Sequence, residues 1–286
     1  EEEGTVPELP EVETVRKGLE RLVVGKTIDA VTVLWPRIIE LPEVPLFQAF
    51  LSGQKIIGVQ RRGKFLILKL TDFDLVSHLR MEGKYEYFPS AQTAIQDKHT
   101  HVIFQMQDGS QLQYRDVRKF GRMALVPKNQ SSEYKGMKQL GPEPLSNDFD
   151  KIAFQEALKK KTMAIKPLLL NQKIVVGLGN IYVDEALWLA SIHPERLASS
   201  LTERETSLLY ESIIAVLGQA VEAGGTTIRT YANALGEAGT FQVSLQVYGQ
   251  TGQPCARCQT PIQKIKVAQR GTHFCPTCQK NKEVRR

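Results

Sequence analysis

Cys255-Ala-Arg-Cys258 and Cys275-Pro-Thr-Cys278 contain every cysteine of this 286-residue chain, spaced C-x2-C-x16-C-x2-C near its end. Each C-x2-C pair forms a tight knuckle that directs two thiolates at one point, and two knuckles complete a tetrahedral Zn²⁺ site. The spacing predicts one structural zinc ion in a ribbon. Two disulfides in a small secreted module are the competing explanation. The cysteine-free remainder and the lack of a secretory apolar stretch disfavour it. Between the knuckles, Gln263–Ala268 and Thr272–Cys275 are short β-prone runs around Gln269-Arg270-Gly271, which predicts a hairpin with Arg270 at its tip. From Cys255 onward, eight Lys/Arg face one acid, Glu283, so this segment's +7 exceeds the +6 of the whole chain. A metal-stapled hairpin with a cationic tip suits a phosphate-rich partner, or simply keeps the ribbon in solution.

Bulk properties agree with the first of these. A hydrophobic content of 42% over this length suffices for one or two full cores besides the ribbon. An isoelectric point near 9.0 favours nucleic acid or an anionic surface. No apolar run reaches the ~20 residues of a membrane span. The expectation is a cytoplasmic bacterial-type enzyme, associated with the nucleoid, with no membrane partner.

Along the chain, Pro7-Glu-Leu-Pro10-Glu-Val-Glu13 leads into Val12, Val15, Leu19, Leu22 and Val23 at helical spacing, closed by Gly25. From Thr27 to about Pro127 the texture is of short β-runs: 30–34, 55–60, 64–70, 75–79, 101–106 and 111–115. Asp108-Gly109 between the last two is a hairpin signal. Gly141-Pro-Glu-Pro-Leu145 marks a linker, and helical patterns follow: around Phe154 and Leu158, over 165–171, over 180–192, and from a Thr202/Glu205 capping box to Gly224. The segment 226–239 reads as a mobile loop. The predicted fold class is α+β and multi-domain. A β-sandwich or barrel flanked by helices precedes a helical helix–two-turn–helix domain and a zinc-ribbon hairpin. Boundaries are placed at 7–135, a linker 136–149, then 150–249 and 250–286, behind an extension at 1–6.

Several short stretches could carry chemistry. Val175-Val-Gly-Leu-Gly-Asn180 feeds a helix N-terminus whose N–H groups suit a phosphate; it is equally a turn with a helix cap. It lacks the Walker lysine and the third glycine of dinucleotide folds, so no nucleotide cofactor is expected. Lys159–Lys161 is a solvated face or a phosphate contact. Arg61-Arg-Gly-Lys64, Ser77-His-Leu-Arg-Met81 and Asp116-Val-Arg-Lys-Phe-Gly121 mix cations with Met81 and Phe120 at strand ends. These are core residues, or wedges for a DNA groove. His99 and His101 lack a third suitably spaced ligand for a metal.

Taken together, these stretches resemble the bacterial formamidopyrimidine-DNA glycosylase family. The resemblance rests on Pro7–Val15, Arg61–Lys64, Ser77–Met81, Asp116–Gly121, Gly177–Tyr182, Gln246–Gly249 and the ribbon with Ala268–Thr272. It spans nearly all of the chain beyond residue 6. Endonuclease VIII, the sister family, shares the helical and ribbon parts but typically begins Pro-Glu-Gly-Pro; Leu9 and the Met81/Arg118/Phe120 set favour the oxidised-purine enzymes. The resemblance implies a bifunctional DNA glycosylase and abasic-site lyase, monomeric, acting on double-stranded DNA with oxidised purines. Zinc is then structural. By resemblance Pro7 is the nucleophile through its imino nitrogen, Glu8 shuttles protons near C1′, Lys64 is the proton donor in β-elimination and Arg270 in δ-elimination. Met81, Arg118 and Phe120 fill the void left by the everted base, and His99, Arg118, Lys160, Asn180 and Arg270 contact DNA. The loop after Gly225 closes over the base.

One departure stands out. Pro7 follows Glu1-Glu-Glu-Gly-Thr-Val6, which makes its nitrogen an amide. The expectation is that these six residues are not translated: a purine-rich ribosome-binding site can encode Glu-Glu-Glu-Gly, and Val6 fits a GTG start. Losing three acids takes the net charge from +6 to +9. A retained extension points instead to a zinc-ribbon protein that binds DNA without catalysis. An enzyme for oxidised pyrimidines is the nearer alternative.

Overall fold

The computed structural model describes residues 6–225 and 244–282, so the predicted base-capping loop at 226–239 lies outside the described residues. The chain divides into two compact units. The first consists mainly of Glu11–Lys138; the second joins Glu8–Pro10 to Gln139–Ala223 and Thr240–Arg286.

The first unit grows from the amphipathic helix α1 (Leu9–Val23), with Glu11 in its first turn and Arg21 in its last. Its apolar stripe, Val12, Val15, Leu19 and Val23, is buried. Strands β1 (Ile28–Val33), β2 (Ile39–Leu41), β3 (Ile56–Arg62), β4 (Phe65–Leu70), β5 (Phe73–His78), β6 (Lys84–Phe88), β7 (Thr100–Met106), β8 (Gln111–Arg115) and β9 (Arg122–Pro127) follow. They form two sheets, ordered β1-β7-β8-β6 and β2-β9-β5-β4-β3. Side chains of both sheets, among them Val31, Phe104, Leu112 and Tyr114 from one and Leu66, Leu68, Leu75 and Leu125 from the other, share one core with the α1 stripe. This is the predicted sandwich flanked by helix. The Asp108-Gly109 hairpin joins β7 to β8, with Gly109 at φ +89 and Ser110 N–H donating 2.9 Å to Asp108 Oδ1.

One stretch departs from the expected β texture. Helix α2 (Val44–Leu51) starts with a proline in its first turn and buries Phe47 and Leu51, four apart on one face. At eight residues it is too short and too apolar for periodicity to separate it from a strand.

The second unit carries α3 (Lys151–Lys159), α4 (Ile165–Leu170), α5 (Asn180–Leu189) and α6 (Glu203–Glu222). Asp150 caps α3 by accepting from Ala153 N–H at 2.8 Å, and Thr202 and Glu205 form the expected capping box on α6. Between α4 and α5 the chain makes two turns, with positive φ at Gln172 (67°) and Gly177 (98°). Gln172 staples them: Oε1 accepts from Gly177 N–H, and Nε2 donates to the carbonyls of Leu170 and Leu178, all within 3.0 Å. Helix α5 is buried from Ile181 through Trp188, charged Asp184 and Glu185 included. It is the pillar of this unit. The ribbon hairpin pairs β10 (Gln263–Val267) with β11 (Arg270–Phe274) through Ala268 and Gln269, both left-handed at φ 49 and 65. That two-residue turn moves Arg270 off the tip, to the first position of β11.

Candidate functional site

Glu8 shows what the turn ahead of α5 is built for. Its carboxylate is buried, Oε1 accepting from the N–H groups of Gly179 (2.6 Å) and Tyr182 (3.1 Å), and Oε2 from Ile181 (2.8 Å). Of the two readings of this turn, a phosphate site or a capped helix, the N-terminus here binds the chain's own anion. Gly179 permits the approach: a Cβ there would lie 2.6 Å from the Glu8 Cγ and Cδ. One residue on, Leu9 N–H donates to Gly177 O at 3.0 Å, so Glu8 and Leu9 are both tied to the turn. Pro7, adjacent in the chain, is itself buried.

Lys166 and Asp184, singled out by no sequence signal, fix the strand that starts at Arg270. Lys166 is fully buried, and its Nζ donates to Asp184 Oδ1 (2.8 Å), Thr272 Oγ1 (2.8 Å) and Gly271 O (3.2 Å). Burial pulls its pKa down, and the Asp184 charge opposes that. The other Asp184 oxygen accepts from His273 N–H at 2.9 Å. Asn180 Nδ2 also donates to Gly271 O at 2.9 Å, so this predicted DNA contact is engaged in holding the residue after Arg270. Arg270 itself is exposed. Lys160 is exposed at the C-cap of α3.

In the first unit the loop 116–121 is organised by Asp116, a residue to which no sequence signal gave a role. Its buried carboxylate accepts from the N–H groups of Arg118 (3.1 Å), Lys119 (2.9 Å) and Gly121 (2.8 Å) and from Tyr114 OH (2.9 Å). His101 Nε2 contacts Asp116 O at 2.7 Å, and Asp116 N–H donates to His99 O at 3.0 Å. Burial, with Asp116 beside it, pushes the Tyr114 phenol well above its ordinary pKa and keeps it a donor. Lys119 takes a left-handed φ of 60° and sets its ammonium 3.7 Å from the Trp35 ring centroid. The loop thus presents Val117, Arg118 and Phe120 to solvent, two large apolar side chains flanking a cation. Arg118 Nη1 reaches Met81 Sδ at 3.7 Å, which brings two of the predicted void-filling residues together. Lys64 is half-buried just before β4.

The four cysteines meet the requirements of the ion. Their Sγ atoms all lie within 4.8 Å of one another, with Cys255–Cys278 at 3.8 Å and Cys258–Cys275 at 3.4 Å. Four thiolates about 2.3 Å from one zinc are about 3.8 Å apart, whereas disulfide sulfurs are about 2.05 Å apart. The chain therefore binds one structural Zn²⁺ here. Among the described residues no other cluster of three or more His, Cys, Asp or Glu has this geometry, the pair His99/His101 included. No helix among the described residues is long and apolar enough to cross a membrane.

Comparison with known proteins gives three consecutive family matches. They are the formamidopyrimidine-DNA glycosylase N-terminal domain over residues 6–123, the H2TH domain of the same enzymes over 140–232, and the zinc finger found in FPG and IleRS over 252–281. The formamidopyrimidine-DNA glycosylase of Enterococcus faecalis is 69% identical over 277 residues, covering 97% of this chain and 98% of that protein. The enzyme of the same name from Latilactobacillus sakei is 56% identical, covering 96% and 98%. A point mutant of the Lactococcus lactis FPG, solved with a Fapy-dG containing DNA, matches with a TM-score of 0.90 at 50% identity, over 96% of this chain and 100% of that one. The chain belongs to the formamidopyrimidine-DNA glycosylase family.

Proposed function

We infer that the chain excises oxidised purines from double-stranded DNA and then cleaves the strand at the abasic site, as a monomer in the bacterial cytoplasm. The observation that carries the reading is the seat of Glu8. Three amide N–H groups hold its carboxylate in place, one residue along the chain from the candidate nucleophile Pro7. As nucleophile, Pro7 needs an imino nitrogen free of any acyl group. Such an amine has a pKa of about 8 against about 10.4 for lysine, which leaves more of it unprotonated at neutral pH.

The chemistry then runs on this chain's own groups. The Pro7 nitrogen bonds to C1′, the glycosidic bond breaks, and the base leaves with its electron pair and a proton. Glu8 serves the proton transfers at C1′ and the ring oxygen. The C1′–O4′ bond then opens as the ring oxygen takes a proton, leaving an iminium between Pro7 and C1′ that acidifies C2′–H. Loss of that proton expels the 3′-phosphate, with Lys64 as proton donor, and loss of the C4′ proton in a second elimination, with Arg270 as proton donor, expels the 5′-phosphate. Reaching the base requires eversion from the stack. Phe120 and Met81 are apolar wedges for the vacated space and Arg118 a donor for the orphaned partner base, while His99, Lys160 and Asn180 supply backbone contacts.

Product analysis on defined duplexes tests this. The expected result is a one-nucleotide gap with 3′- and 5′-phosphate ends opposite the lesion's partner, formed faster on 8-oxoguanine than on thymine-glycol duplexes. Preference for thymine glycol, or release of base with an uncut strand, contradicts it.

A further inference from the structure

Helix α5 reaches the metal centre at a point the family reading does not use. Trp188, in its last turn, is 7% exposed, and its indole Nε1–H lies 3.4 Å from the Sγ of fully buried Cys255. We propose that Trp188 is a positioning residue of the zinc centre, its indole N–H bonding the Cys255 thiolate and tying the charge of the metal cluster to α5.

Two further observations support this. Arg257, between the two cysteines of the first knuckle, sets its guanidinium 3.9 Å from the Trp188 ring centroid. The same guanidinium donates to the carbonyls of Trp188 (2.5 Å) and Leu189 (3.2 Å), at the C-terminal end of α5 where carbonyl acceptors outnumber helical donors. A cation over the indole face withdraws electron density from the ring and makes the N–H a stronger donor. That donor faces a thiolate, and hydrogen bonds to ionised acceptors are the strong ones. The ring is thus gripped on its face by the ribbon's cation while its edge serves the ribbon's anion. Two of the other ligands find partners inside the ribbon: Thr260 Oγ1 lies 3.3 Å from Cys258 Sγ, and Cys278 N–H donates to Cys275 Sγ at 3.4 Å. Trp188 reaches in from α5, the helix that also holds Glu8 at its N-terminus.

The consequence is a slower loss of metal. A hydrogen bond to a ligating thiolate draws charge off the sulfur and orients it, and residues in this role alter metal affinity by about 10–100-fold. Trp188→Phe retains the ring and its stacking on Arg257 while removing the N–H. We expect this variant to release zinc to a colorimetric chelator about tenfold faster than the unaltered protein. With Co²⁺ in place of zinc, its thiolate-to-metal charge-transfer band should move to lower energy, a shift that a purely structural role for the ring would not produce. Unchanged release together with an unchanged band overturns the proposal. A second measurement needs no variant. With ¹¹³Cd in the site, the Trp188 indole proton should show scalar coupling to the metal through the Cys255 sulfur, and absence of that coupling also overturns it.

Discussion

His78 closes β5 beside the Lys64 turn, its ring edge-on to Phe65 with centroids 4.6 Å apart. Arg80 N–H donates to its Nδ1 at 3.2 Å, which leaves the single proton on Nε2. Burial first, then the charges of Lys64 and Arg80, lower its pKa to about 4. The folded protein then binds fewer protons here than the unfolded chain, whose histidine titrates near 6.5. The contribution to stability is present above that value and is lost as pH falls through about 4. A proton-resonance titration of His78 should have its midpoint near 4. Lys64→Gln should raise that midpoint without restoring the ordinary value, because burial is the larger cause; a midpoint above 6.5 in the unaltered protein contradicts this assignment. Glu185 has the opposite sign. Burial raises its pKa to about 7 although Gln246 and Val247 N–H groups donate to it. Its stabilisation is present below its unfolded value of 4.5 and is lost as pH rises through about 7. Glu185→Gln should flatten the denaturation midpoint across that window; an unchanged slope would show that Glu185 is ionised throughout it.

At the scale of elements, the 116–121 loop is held open by a polar post, Tyr114–Asp116, and by the missing side chain at Gly121. A Cβ at Gly121 would sit 1.6 Å from the Tyr114 hydroxyl and 2.9 Å from its Cζ. Gly121→Ala should therefore lower stability by about 1–3 kcal/mol in thermal unfolding. Adding Tyr114→Phe should recover part of that loss, since the ring carbon still crowds the methyl. Full tolerance of Gly121→Ala would show that the loop is not braced by this contact. The same reasoning explains why Arg118 and Phe120 project. Asp116 takes the N–H groups of Arg118, Lys119 and Gly121 and so fixes the backbone that carries both side chains.

Across the whole molecule, charge and sequence separation decide what binds and what could be read in advance. The ribbon's +7 on a chain of net +6 makes DNA binding a counterion-release process. Stripping zinc, or Cys275→Ala, should unfold the ribbon and weaken duplex binding, with a shallower salt dependence; unchanged affinity in zinc-free protein contradicts a role for the ribbon. Features written in neighbouring residues were legible: the cysteine knuckles, the Thr202 capping box, the Asp108-Gly109 hairpin and the periodic helices. Long-range polar pairs were not. Glu8 and Gly179 are 171 positions apart, and Lys166 and Gly271 are 105 apart, so nothing local marks either member. Trp188 sits in an apolar helical run, where an aromatic residue reads as core until its N–H is seen against a thiolate. Helix α2 was hidden because two turns of apolar residues satisfy both periodicities.

Borohydride trapping of the covalent intermediate decides whether Pro7 is the nucleophile. Polypeptide whose first residue is Pro7 is mixed with an 8-oxoguanine duplex and reductant, and the adduct is mapped by mass spectrometry. The expected product is a stable covalent protein–DNA complex joined at the Pro7 nitrogen, absent when that nitrogen is acylated. A complex joined at a lysine, or none at all from the free-proline form, would contradict it.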